Sequence, residues 1–198
     1  MQAPVIYTGI KDKIIAIASS TGGPEAVDTI IKGLPANTPP ILIVQHMPAL
    51  LTAQFADRLD KAGKLSVKEA ENRECIQRNW AFVAPGDFHM RVVRSGHRVM
   101  VECFKADKMH GVRPAADILF DSLAEIGATN VIGVVLTGMG VDGAAGLKRL
   151  KSLGAVTIGQ DKKSSVVYGM PKAAYEMGAV DFQLPLDKIA GKIMQLMQ

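Results

Sequence analysis

The chain has 198 residues, of which 48% are hydrophobic and 21% charged; this is the make-up of one globular domain with a sizeable core, not of a disordered or fibrous chain. Its formal net charge of +4 favours acidic partners, but Lys and Arg are spread along the chain and only 5% of residues are aromatic, so nucleic acid is not an expected partner. Apolar runs such as Val131 to Leu136 fall far short of the roughly 20 residues that span a bilayer, and the start MQAPVIYTG lacks a secretory pattern, so a cytosolic protein that is not membrane-inserted is expected.

Residues 1–10 read as a linker or tag remnant and residues 11–198 as one catalytic-size domain. Ile14 to Ala18 is an apolar, branched run without alternation, which suits a strand buried on both faces of a parallel sheet. After the turn Ser20-Thr21-Gly22-Gly23, apolar residues at Ala26, Val27, Ile30, Ile31 and Leu34 have the spacing of one helix face. The same grammar recurs with Ile41 to Gln45 as strand, His46-Met47-Pro48 as turn and Thr52 to Lys61 as helix. Short strand-like pieces follow at Val67 to Ala70, Trp80 to Pro85, His89 to Val93 and His97 to Glu102, the last two joined through Gly96 as a hairpin. A helix after Arg113-Pro114 runs to Ile126, then come the strand Val131 to Leu136, a glycine-rich turn, the helix Ala144 to Leu153 and the strand Ala155 to Gly159. Helices from Pro171 and over Leu186 to Leu196 close the chain. The alternation predicts a doubly wound, mostly parallel α/β sheet with helices on both faces and an antiparallel β-hairpin at one edge.

Cys75 and Cys103 are not spaced as zinc ligands or as a disulfide framework and read as reduced thiols. Ser20, His46 and Asp142 each follow one of the apolar strands, which places all three at the carboxyl edge of the sheet, where such folds bind ligands. Their chemistry is complementary: a serine hydroxyl needs a base, and an imidazole needs a carboxylate to fix its tautomer. Taken singly, each has a structural reading: Ser20 as a cap before a helix, His46 as a hydrogen-bonded structural histidine, Asp142 as a cap of the helix after Gly143. Ser19 is a rival nucleophile, but strand alternation points it differently. Thr21 and Met139 are the nominated amide donors for an oxyanion. No metal or organic cofactor is expected. His89 and His97 read as structural or surface residues, and His110 as a structural residue or part of the cleft wall.

Gly138-Met139-Gly140-Val141-Asp142-Gly143 also matches G-x-G-x-x-G between a strand and a helix, with Asp161 near where a ribose-binding acid would stand. A dinucleotide-binding oxidoreductase is therefore the alternative, and a pure binding module a third reading.

Seven stretches together carry a resemblance: IASSTGG at 17–23, VQHMP at 44–48, FADRLD at 55–60, VAPGDFHM at 83–90, RPAADILF at 113–120, LTGMGVDGAAGL at 136–147 and SSVVYGMPKAA at 164–174. In them, over nearly its whole length, the chain resembles the catalytic domain of the chemotaxis protein-glutamate methylesterases, the CheB family. The resemblance implies a Ser-His-Asp hydrolase that demethylates glutamate γ-methyl esters in the cytoplasmic domain of methyl-accepting chemoreceptors, and that also deamidates receptor glutamines. It assigns the triad to Ser20, His46 and Asp142 and places Thr21 and Met139 at the site. It further implies a receiver domain in the full-length protein, which the 198 residues do not contain.

Overall fold

The structure, a computed structural model, describes residues 13–198; the expected linker or tag remnant at 1–10 lies outside the described residues. In chain order the strands and helices are β1 (Ile14–Ser19), α1 (Gly23–Gly33), β2 (Ile41–Gln45), α2 (Ala49–Ala62), β3 (Ser66–Glu69), β4 (Glu74–Cys75), β5 (Trp80–Val83), β6 (His89–Ser95), β7 (Arg98–Phe104), α3 (Ala116–Gly127), β8 (Val131–Val135), α4 (Ala144–Ser152), β9 (Val156–Gln160), α5 (Met170–Glu176), β10 (Phe182–Leu184) and α6 (Leu186–Met197).

Apolar runs rich in branched residues and without helical spacing form β1, β2 and β8, all buried along their whole length. These strands lie in a seven-stranded sheet of order β10-β9-β8-β1-β2-β5-β3, in which every pairing is parallel. Alternation along β1 divides the core. Ile15 and Ile17 pack with Val27 and Ile30 of α1, Phe55 and Leu59 of α2, and Ile189 and Ile193 of α6. Ala16 and Ala18 face the opposite side with Phe120 and Leu123 of α3, Leu147 and Leu150 of α4, and Ala174 of α5. Helices thus cover both faces, as the doubly wound reading expects.

The middle of the chain differs in detail from the reading of its sequence. Two of its strand-like pieces, β3 and β5, join the parallel sheet, and β3 forms its edge. The hairpin β6–β7 exists with its turn at Gly96, but β4 pairs with β7 to make a separate three-stranded antiparallel sheet. Val92 and Val101 of that sheet belong to the core on the α3 side. The hairpin is therefore packed onto the domain through side chains, with no ladder bonds to the main sheet's edge.

Both cysteines are free thiols. Burial, helped by the carboxylates of Glu69, Glu74 and Glu102, pushes Cys103 up to about 11, so it is an unreactive thiol at neutral pH. No described helix is long and apolar enough to cross a membrane.

Candidate active site

From β1 the chain goes to its neighbour β2, whereas β8 lies on the other side of β1, so the direction of winding reverses between β1 and β8. Such a reversal opens a crevice at the carboxyl ends of the strands. In the register Ser19 is level with Gln45, so Ser20 and His46 leave adjacent strands side by side; the His46 amide donates to Ser19 O at 3.0 Å. The Ser20 amide donates across to Thr137 O, just after β8, at 3.0 Å.

Asp142 arrives from the β8–α4 loop and is 2% exposed. His46 Nε2 lies 2.7 Å from Asp142 Oδ2. The same carboxylate accepts two main-chain bonds at the start of α3, from the Ala116 amide at 2.7 Å and the Asp117 amide at 3.0 Å. Burial acts to raise the pKa of Asp142, but the bonds from His46 and the two amides outweigh it and hold the carboxyl below the usual carboxylate range. An ionised carboxylate is acceptor-only, so Nε2 of His46 carries a hydrogen, and in the neutral imidazole the lone pair is then on Nδ1.

Two of the structural alternatives fall away. The N-cap of α1 is Gly22 with no side-chain capping bond, so Ser20 caps nothing. The N-cap of α4 is Gly143, again with no side-chain capping bond, and Asp142 serves a helix distant in sequence, α3, rather than the one that follows it. The described residues thus bring Ser20, His46 and Asp142 to one edge, with His46 and Asp142 in direct contact.

Close packing explains the glycine at 138, third in the loop after β8: a Cβ there would lie 2.5 Å from Met170 Sδ and 2.7 Å from Ser20 Cβ. Gly138→Ala must therefore shift the Ser20 backbone or Met170, and it is expected to lower the rate constant for labelling of Ser20 by a serine-directed fluorophosphonate by about 10²-fold, measured on the purified variant.

Thr21 and Met139 are exposed on the rim of the same edge, Met139 at 71%. Among the described residues neither of their amides has an acceptor. On the other side of His46 a cavity of about 270 Å³ is lined by Met47, Pro48, Asp87, Lys108, Val112 and Arg113. Arg113 and Lys105 pair with Asp87 and hold it at about 2; Lys108 has no ion-pair partner among the described residues.

The other histidines sort themselves. His89 is fully buried, its Nε2 bonded to Asp107 O at 2.9 Å and its Nδ1 accepting from the Ala115 amide at 3.2 Å, a structural role. His97 sits exposed at the hairpin turn. His110 Nε2 lies 2.7 Å from Asp117 Oδ2, and the Gly146 amide donates to Asp117 Oδ1 at 2.7 Å. Burial, with the neighbouring negative Asp142, raises the Asp117 carboxyl. His110, Asp117 and Asp142 offer three ligand atoms within 4.8 Å, but the carboxylate oxygens are already committed to His46, His110 and three amides. Asp117 and Gln45, treated below, are the polar residues of the site that sequence reasoning passed over.

The dinucleotide alternative loses its physical basis in the same contacts. A pyrophosphate needs free amides at the start of α4, yet the Ala144 amide donates to Val141 O and the Gly146 amide to the Asp117 carboxylate. Asp161 accepts from the Ser164 amide and hydroxyl within its own turn, away from any ribose role.

Fold and site together define a doubly wound α/β domain with a serine, a histidine and an aspartate gathered at its switch point. The family model for the CheB methylesterase matches residues 15–193. A protein-glutamate methylesterase/protein-glutamine glutaminase of Syntrophomonas wolfei is 47% identical over 92% of this chain and 54% of its own length. One of Pseudomonas aeruginosa is 46% identical over 98% of this chain and 54% of its own. The crystal structure of the Thermotoga maritima CheB methylesterase catalytic domain superposes with a TM-score of 0.92 at 45% identity, covering 94% of this chain and 100% of that one. The chain belongs to the CheB methylesterase family, and it spans about half the length of the curated relatives it matches.

Proposed function

We propose that this chain is the catalytic domain of a protein-glutamate methylesterase, which hydrolyses glutamate γ-methyl esters in the cytoplasmic domain of chemoreceptors and releases methanol. The contact that supports this reading most is the 2.7 Å bond between His46 Nε2 and the ionised Asp142, one strand end away from Ser20. His46 Nδ1 takes the proton of Ser20 Oγ as the hydroxyl attacks the ester carbonyl. The oxyanion is met by the free amides of Thr21 and Met139. The imidazolium, stabilised by Asp142, gives its proton to the departing methanol, and water then hydrolyses the acyl-enzyme with His46 as base again. The relatives' name, protein-glutamine glutaminase, fits the same route: a glutamine amide forms the same acyl-enzyme and loses ammonia.

The cavity beside His46 receives the receptor segment, and Lys108 on its wall suits the acidic helices that carry methylation sites. In the whole protein, a receiver domain in the part of the relatives' length this chain does not span controls access to this edge. The protein works in the cytoplasm, without metal or organic cofactor.

A serine-directed fluorophosphonate tests the nucleophile. One adduct per chain is expected, on the peptide that holds Ser20. An adduct on Ser19 or elsewhere, or none, overturns the assignment.

A further inference from the structure

One buried side chain touches the main chain of two members of the proposed triad. Gln45, the last residue of β2, is 2% exposed. Its Nε2 donates to the carbonyl oxygens of Ser20 and His46, each at 3.0 Å. Its Oε1 accepts from Ser19 Oγ at 2.6 Å. Both amide hydrogens are therefore spent on the carbonyls of the nucleophile and the base, and these two acceptors decide which way the carboxamide faces, the Ser19 hydroxyl donating to the oxygen left over. Turning it over would set Oε1 against two carbonyl oxygens.

We infer that Gln45 is a positioning residue for the esterase reaction: it fixes nucleophile, base and oxyanion donor relative to one another. The inference rests on the serine-hydrolase reading above and deepens it. The Ser20 carbonyl belongs to the same planar unit as the Thr21 amide, and in a trans peptide the two point in opposite directions. Gln45, with the Gly23 amide at 2.8 Å, draws that carbonyl inward, so the Thr21 N–H is turned outward to the cleft. The bond to the His46 carbonyl ties the other strand end to the same side chain. A buried donor pair of this kind is rigid because no water competes for it.

Gly23 fits the same clamp. A Cβ at Gly23 would lie 2.1 Å from Gln45 Oε1 and 2.7 Å from Ser19 Cβ, so glycine leaves the room the carboxamide occupies. Gln160 provides the natural comparison. It ends β9 as Gln45 ends β2 and is fully buried, its Oε1 accepting from the Thr137 amide at 2.8 Å and its Nε2 donating to Ser164 O at 2.9 Å. It bonds neither Ser20 nor His46.

The test measures the rate constant and the stoichiometry of fluorophosphonate labelling, with thermal melts, for the parent, Gln45→Met and Gln160→Met. Each variant loses a buried carboxamide of equal size. The clamp predicts that Gln45→Met takes a full equivalent of label with a rate constant lower by about 10²-fold, while Gln160→Met stays within about threefold of the parent. Labelling of Gln45→Met at the parental rate, a fall in stoichiometry alone, or a slowing no greater than that of Gln160→Met would overturn the inference. Should Gln45→Met not fold, Gln45→Asn keeps a carboxamide too short to reach both carbonyls and must show the same loss in rate constant; a parental rate there has the same overturning force. A parent that takes no label removes the serine-hydrolase reading and this inference with it, an outcome distinct from a labelled parent with an indifferent Gln45.

Discussion

On the proposed reading, replacing Ser20 with alanine is expected to lower methanol release from methyl-labelled chemoreceptor membranes by more than about 10³-fold, the scale of losing a triad nucleophile. The change removes one oxygen. That oxygen caps no helix, and the Cβ that packs against Gly138 stays in place. The residue is only partly buried, so little packing is lost and the variant's far-ultraviolet spectrum and melting temperature stay near the parent's. A large loss of turnover on an intact fold separates chemistry from stability at this position. Ser19→Ala, by contrast, removes a hydroxyl that serves Gln45 and leaves the nucleophile in place.

Asp142→Asn has the second large effect, through two different routes. All three groups facing the carboxylate are donors: His46 Nε2, and the amides of Ala116 and Asp117. The NH₂ of an asparagine must meet at least one of them. If it faces the imidazole, it selects the tautomer with hydrogen on Nδ1, the atom that should accept the serine proton. Turnover then falls by about 10³- to 10⁴-fold, the size of a tautomer defect in a triad. If it faces the helix, α3 loses a cap held by a charged acceptor, and stability falls by about 3 kcal/mol.

The pH dependence tells the routes apart from general damage. The folded-state pKa of Asp142 lies below its unfolded value, so its contribution to stability is complete above about pH 4 and is lost as pH falls through the folded value. The stability gap between parent and Asp142→Asn, measured by urea unfolding, is therefore widest near neutrality and closes in acid. A gap that stays constant with pH contradicts an ionised Asp142 in the folded protein.

Much of the fold was legible because the deciding residues are local. Ile14 to Ala18, Ile41 to Val44 and Val131 to Leu136 are apolar without alternation, and only strands covered on both faces bury such runs; the three lie side by side in the sheet. What the sequence concealed depends on short or distant partners. β4 has two residues and β10 has three, too few for a period to show. The separate small sheet follows from β4 pairing with β7 across two intervening strands, β5 and β6, and nothing in β4 alone announces it.

The candidate site divides in the same way. Ser20, His46 and Asp142 could be placed at one edge because each directly follows a legible strand. That Asp142 caps α3, 25 residues and more away, was invisible, because capping of the next helix is the local expectation and α3 comes earlier in the chain. Asp117 looked like an ordinary polar position in a helix, and only packing against α4 turns its carboxyl inward to the Gly146 amide. Gln45 did leave a signal: a polar residue at the end of a strand otherwise apolar throughout, in a sheet expected to be buried on both faces.

The most direct measurement is methanol release by the unmodified chain from membranes whose chemoreceptors carry labelled glutamate methyl esters, with receptor-free membranes as blank. Catalytic release of label as methanol, with the receptor methyl count falling in step, is the predicted result. No release under conditions where the protein is folded and fluorophosphonate-reactive would contradict the methylesterase reading and leave a serine hydrolase with a different ester as substrate.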